Sequence, residues 1–299
     1  MVSLCARFFV GIMKLMSMKN HGFLDIEKSR KDLENQVFLF KTPRNVKVEQ
    51  VLVEELSAEW LRPKDCQTDR VIIYLHGGSY NAGSLRTHRG LAARIGKSAN
   101  SLVLSLDYRL APENPFPAAV TDVVLAYKWL IEKEGFDPKK VMISGDSSGG
   151  GLVLSALLKI KEDQLPFPAA AICLSPWTDL ANTGDSIKTK AKVEIMLTEE
   201  ELKQSAEIYA KNEDVKHPLI SPLYADLAGL PPILIQTGTA EMLLDDSIRF
   251  VHKAEEAKVL IELDLWDNMF HVFQIFGNLI PESKKAIVKI GEFAKANFS

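Results

Sequence analysis

Ser147 is the residue whose neighbours most directly suggest chemistry. It stands in Gly145-Asp146-Ser147-Ser148-Gly149, a G-x-S-x-G pattern. In such a pattern a serine projects from a sharp strand-to-helix turn, and the glycines let neighbouring backbone pass close by. The residue types are common, so the pattern alone is weak, and a serine capping a helix in a tight turn would look similar. The context decides. Val141–Ser144 predicts a buried strand before the serine, and Ser148–Ile160 predicts a helix after it, the setting that the motif requires. Ser147 is therefore the candidate nucleophile, and the N–H of Ser148 falls where an oxyanion donor belongs.

His76-Gly77-Gly78-Ser79 follows directly on the apolar run Val71–Leu75. Glycines after a strand bring backbone N–H groups close to a ligand without side chains in the way. Donors from Gly77, Gly78 or Ser79, with that of Ser148, can hold the negative oxygen of a tetrahedral intermediate. One such donor contributes about 3 kcal/mol to transition-state stabilisation. Alone the segment reads as a plain strand-to-helix turn; its partnership with the serine motif makes it a candidate oxyanion hole.

A serine hydroxyl needs a base, and the base needs an orienting acid, in the chain order nucleophile, acid, histidine. Of six histidines, His271 lies in Trp266-Asp267-Asn268-Met269-Phe270-His271, a loop after the strand predicted over Val259–Leu265. A loop histidine can reach Ser147, take its proton and return it to a leaving alcohol. His252 falls inside a predicted helix and reads as a half-buried packing residue. His76 reads as a brace for the glycine loop. The acid lies in Thr239-Ala240-Glu241-Met242-Leu243-Leu244-Asp245-Asp246. Glu241 is nearest the strand end and ranks first; Asp245 ranks second, because it and Asp246 suit a helix N-terminus.

His76-Gly77-Gly78, Asp107-Tyr108-Arg109-Leu110-Ala111-Pro112-Glu113 and Gly145-Asp146-Ser147-Ser148-Gly149-Gly150, taken together, resemble the hormone-sensitive-lipase-like esterases of bacteria. The likeness runs from about Val71 to His271. It implies a capped α/β-hydrolase that cleaves small, short-chain carboxylic esters through an acyl-enzyme, with no metal and no organic cofactor. It also implies that the acid sits at Glu241, where the family carries Asp or Glu. Two positions depart from the family pattern: Ser79 replaces a usual glycine and Ser148 a usual alanine. Neither removes a backbone N–H. Asp107 and Arg109 read as a structural pair that steadies the oxyanion loop, and Pro112–Pro117 as a rigid turn into a helix.

Two other functions use the same features. An amidase or deacetylase would employ the same triad. A non-catalytic ligand-binding relative would lack a working triad histidine, whereas His271 is present.

The elements that must position these groups follow from periodicity. Strands are predicted at Val46–Glu54, Ala58–Arg62, Val71–Leu75, Leu102–Leu106, Val141–Ser144, Ala169–Leu174, Ile233–Gln236 and Val259–Leu265. Helices are predicted at Thr87–Ala99, Ala118–Glu132, Ser148–Ile160, Asp245–Ala257 and Glu282–Ala296. Alternation of this kind implies an α/β fold, a mostly parallel sheet with helices on both faces. The rhythm breaks over 179–219, polar and helical in character. The expected organisation is an N-terminal cap segment at 1–45, a catalytic core at 46–178 and 220–299, and cap helices inserted at 179–219.

The 299 residues carry a net charge of −3, with no basic footprint for nucleic acid. Three widely spaced cysteines form neither a disulfide framework nor a zinc pattern, which fits a reducing cytoplasm. The apolar stretch Val2–Met18 is too broken by charge for a membrane span and reads as an amphipathic helix on the body, without stable membrane insertion. The expected partner is a small ester substrate. The strand at Val259–Leu265, if it lies at the sheet edge, offers a surface for a homodimer.

Overall fold

The computed structural model describes residues 3, 5–8, 10–11, 24–37 and 40–298. Eight strands form one sheet in the order β1-β2-β4-β3-β5-β6-β7-β8: β1 Val46–Val53, β2 Leu56–Pro63, β3 Gln67–Leu75, β4 Ser101–Leu106, β5 Val141–Asp146, β6 Ala170–Leu174, β7 Ile233–Gly238 and β8 Ile261–Trp266. β2 runs antiparallel to β1 and β4, and every other pairing is parallel. The helices are α1 Ile26–Asn35, α2 Leu85–Ala99, α3 Ala118–Glu132, α4 Ser148–Glu162, α5 Ser186–Thr189, α6 Glu199–Ala210, α7 Leu244–Glu256 and α8 Pro281–Asn297.

The apolar run in β3 shows why the sheet is central. Val71, Ile73 and Leu75 pack on one face with residues of α3, α4 and α7, while Ile72 and Tyr74 pack on the other with residues of α2 and α8. A continuous apolar strand is what a sheet covered on both faces demands. β4, β5, β6 and β7 are buried throughout. All parallel strands point their carboxyl ends the same way, so the loops after β3, β5, β6, β7 and β8 gather at one rim.

The predicted strands and helices are all present, with boundaries displaced by a few residues. β5 continues through Gly145 and Asp146, because these pair with Cys173 and Leu174 of β6; a glycine beside an aspartate masks that continuation in the sequence. β8 starts at Ile261 rather than Val259, whose N–H bonds to the carbonyl of Ala254 at the exit of α7 (2.9 Å). β8 lies at the sheet edge, since it pairs with β7 alone. His252 is a correction: it lies on the exposed side of α7 rather than half-buried in packing.

The segment 179–219 holds α5 and α6. α6 meets the loop after β3 through Tyr209, which stacks on Tyr80 at 3.8 Å, and through Ser205, whose hydroxyl accepts from the Asn81 amide at 2.9 Å. α1 is a helix that the sequence reading did not single out. It is capped by Asp25, and its Arg30 binds the carbonyl oxygens of Asn81 (2.7 Å) and Ala111 (3.0 Å). In the stretch Val2–Met18, residues 5–8 and 10–11 are helical, Ser3 bonds Glu282, and Ala6 is buried. The rest of that expected helix lies outside the described residues. Among the described residues no helix is long and apolar enough to cross a membrane.

Candidate active site

Ser147 occupies the turn between β5 and α4 with φ 55° and ψ −122°. Positive φ is rare for a residue with a Cβ and costs about 1–3 kcal/mol. The surroundings hold it there: its N–H donates to the carbonyl of Leu174 (2.8 Å), and its own carbonyl accepts from Gly151 and Trp177 (3.1 and 3.0 Å). The motif glycines have a steric reason. A Cβ on Gly149 would stand 2.2 Å from the carbonyl oxygen of Leu75, and one on Gly145 would stand 2.4 Å from that of Gly149. Only hydrogen fits at either position.

His271 and Glu241 come to this serine from two other loops. The Ser147 hydroxyl lies 2.9 Å from His271 Nε2, and His271 Nδ1 lies 2.6 Å from Glu241 Oε2. Both imidazole and carboxylate are buried. The other carboxylate oxygen, Oε1, accepts from the N–H of Gly238 (2.8 Å), the hydroxyl of Ser175 (3.1 Å) and the hydroxyl of Thr237. Glu241 is thus fixed by its own strand end and by the loop after β6. Burial disfavours a charged His271, but the hydrogen bond and charge of Glu241, with further charge from Glu194 and Asp146, outweigh it and raise its pKa above the usual 6.5.

Asp245 does not join this line. Its carboxylate accepts from the N–H of Ser186 in α5 at 2.8 Å. Asp246 is buried and accepts from the N–H groups of Thr178 and Asp179, both at 2.8 Å. Burial and the nearby charge of Asp179 push its carboxyl up to about 8.

The glycine loop after β3 is built beside the serine. A Cβ on Gly77 would sit 2.4 Å from Asp146 Oδ2 and 3.1 Å from the Ser147 Cβ, which explains the glycine. Gly78 has φ 125°, and the next two residues, Ser79 and Tyr80, also have positive φ, 55° and 62°. Among the described residues, the N–H groups of Gly77, Gly78 and Ser79 have no acceptor within the protein. The Ser148 N–H opens α4, where the first helical N–H groups lack intrahelical partners. The Ser148 hydroxyl accepts from the N–H of Tyr80 at 3.3 Å and so ties the elbow to the loop.

His76 braces the loop, in agreement with the sequence reading. Its Nδ1 lies 2.9 Å from the Gly77 carbonyl oxygen, and its ring stacks on Tyr108 at 4.4 Å. Burial, with the neighbouring charge of His88, lowers its pKa to about 4, so it is neutral at physiological pH. The expected pair of Asp107 with Arg109 is a correction. Arg109 instead forks onto Asp122 of α3 (2.7 Å), because the carboxylate one turn into that helix matches its reach. Asp146, unremarked in the sequence, is a buried anchor between strand and loop. Tyr74 donates to it at 2.6 Å, and His88 Nε2 lies 3.3 Å away.

A family model described as alpha/beta hydrolase fold matches residues 72–275. An acetyl-hydrolase from Streptomyces hygroscopicus is 44% identical over 245 residues, spanning 82% of this chain and 81% of that protein. The crystal structure of an esterase/lipase from an uncultured bacterium is 42% identical with a TM-score of 0.94, covering 99% of both chains. An esterase of the bacterial hormone-sensitive lipase family is 40% identical with a TM-score of 0.95, also covering 99% of each.

Proposed function

The chain belongs to the alpha/beta hydrolase fold family, as a carboxylic ester hydrolase, and we propose that it cleaves small, short-chain esters with Ser147 as nucleophile, His271 as base and Glu241 as orienting acid. The observation that carries this reading is the unbroken hydrogen-bonded line from the Ser147 hydroxyl through His271 to Glu241, at 2.9 and 2.6 Å. In the first step His271 Nε2 takes the Ser147 proton as the oxygen attacks the ester carbonyl. The resulting oxyanion rests on N–H groups of Gly77, Gly78 or Ser79 and of Ser148. Glu241 holds the imidazole with Nδ1 protonated and stabilises the imidazolium. His271 then protonates the leaving alcohol, and a water activated by the same imidazole hydrolyses the acyl-enzyme.

Residues 1–45 and 179–219 serve as the cap over this site; the contacts of Arg30, Ser205 and Tyr209 with the oxyanion loop support that division. A short acyl group agrees with the acetyl-hydrolase among the relatives. The free thiols of Cys5, Cys66 and Cys173 agree with a reducing cytoplasm. The open edge of β8, with exposed Leu265 on the strand and exposed Leu260 just before it, supports pairing with a second copy.

Ser147→Ala is the direct test. It should remove turnover of p-nitrophenyl acetate and butyrate while the protein still folds, and undiminished turnover would overturn the assignment. Matched aryl esters and anilides separate an esterase from an amidase, and a ladder of acyl lengths reads the substrate size.

A further inference from the structure

We infer that Glu194, a residue of the inserted segment 179–219, is a positioning residue for the catalytic base, gripping the loop that carries Glu241 and adding negative charge near His271. The inference rests on the triad reading above.

Glu194 lies between α5 and α6 and is buried, at 9% exposure. Its Oε2 accepts the N–H of Met242, the residue directly after Glu241, at 2.9 Å. Its Oε1 accepts the N–H groups of Ile195 and Met196, both at 2.8 Å. Among the described residues no lysine, arginine or histidine pairs with it. A buried carboxylate without a counter-cation is expensive unless backbone donors surround it, as three do here.

The same peptide is held from its other side. Ser186 of α5 donates its hydroxyl to the Met242 carbonyl at 2.5 Å and accepts from the Asp245 N–H at 3.0 Å. Both polar groups of Met242 are therefore bonded to the inserted segment. That segment holds the acid loop as well as covering the rim.

Among the described residues, the charges that act on His271 are those of Glu241 after β7, Glu194, and Asp146 at the end of β5. All three favour the imidazolium. Glu241 acts through a hydrogen bond; Glu194 acts through space and through the loop it holds. Removing its charge should lower the pKa of the base and weaken stabilisation of the imidazolium during attack.

The test is the pH profile of kcat/KM for p-nitrophenyl acetate in wild type, Glu194→Gln, Ser186→Ala and Ser147→Ala. In Glu194→Gln the acid limb should move to lower pH by about half a unit, with the plateau kcat down about tenfold and KM changed little. Ser186→Ala loosens the same loop without removing charge, so its kcat should fall while its acid limb stays in place. Glu194→Ala reads the same shift should the glutamine variant fail to accumulate. An unmoved acid limb in these Glu194 variants, with loss of thermal stability alone, would reduce Glu194 to a structural tie and overturn the inference. Turnover surviving in Ser147→Ala would instead overturn the triad reading itself.

Discussion

The Ser175 hydroxyl joins the loops that carry Glu241 and His271: it donates to Glu241 Oε1 at 3.1 Å and accepts from the N–H of Val272, next to His271, at 3.2 Å. One small side chain after β6 thus ties together the loops of the proposed acid and base. Ser175→Ala should lower kcat about tenfold with KM little changed, because the reacting groups lose register while the substrate pocket keeps its walls. Steady-state kinetics on a p-nitrophenyl ester reads both parameters.

Glu241 and Asp245 make a paired test of the acid. Glu241→Gln leaves the shape intact but presents an amide to the imidazole and disturbs its tautomer. Its kcat should fall by about 10³–10⁴-fold. Asp245→Asn removes only a charge that meets Ser186, and activity should stay within about threefold of wild type. The opposite ranking would move the acid to Asp245.

His271, as the proposed base, must be neutral to accept the Ser147 proton, and its pKa is raised. Activity should therefore fall on the acid side, with the limb of kcat/KM centred above 6.5 and the plateau reached in mildly alkaline solution. His76, already neutral above about 4, should leave no mark on that limb. A profile flat down to pH 5.5 would contradict the assignment of His271.

Asp246 predicts a pH effect on stability of its own. Its folded-state pKa of about 8 lies above the ordinary 3.8, so the folded protein holds a proton that the unfolded chain has released. That contribution is full below pH 3.8 and is lost as pH rises through about 8. Asp246→Asn cannot lose it. Between pH 5 and 9 the melting temperature of the variant should decline less than that of wild type, by about 3–5 °C. Scanning fluorimetry across that range checks it; parallel curves would refute it.

The homodimer surface is also testable. Leu265 is 47% exposed on β8 and Leu260, just before that strand, is 74% exposed. If two copies pair there, Leu260→Glu with Leu265→Glu should shift the mass measured by analytical ultracentrifugation from dimer to monomer. A wild-type monomer at tens of micromolar would dismiss the pairing.

Much of the site was legible because its parts are local in sequence. Glycines 145, 149, 77 and 78 announce close backbone contacts, and strand ends place Ser147, Glu241 and His271 at one rim. What stayed hidden depends on contacts across long separations. Ser175, Thr237 and Glu194 converge on the acid loop from three elements, and a lone serine or glutamate carries no periodic signal of that. Arg109 misled for the same reason: Asp107 is nearer along the chain, but Asp122 lies within reach in space. Helix α1 carries no apolar periodicity, because its residues 26–35 are mostly polar, with none buried.

The buried Asp146 carboxylate has a practical consequence for remodelling this enzyme. Because Gly77, Tyr74 and His88 all close around it, a side chain added at Gly77 would displace that carboxylate, and one at Gly145 or Gly149 would meet backbone directly. Libraries aimed at new acyl preferences should leave Gly77, Gly145 and Gly149 as they are.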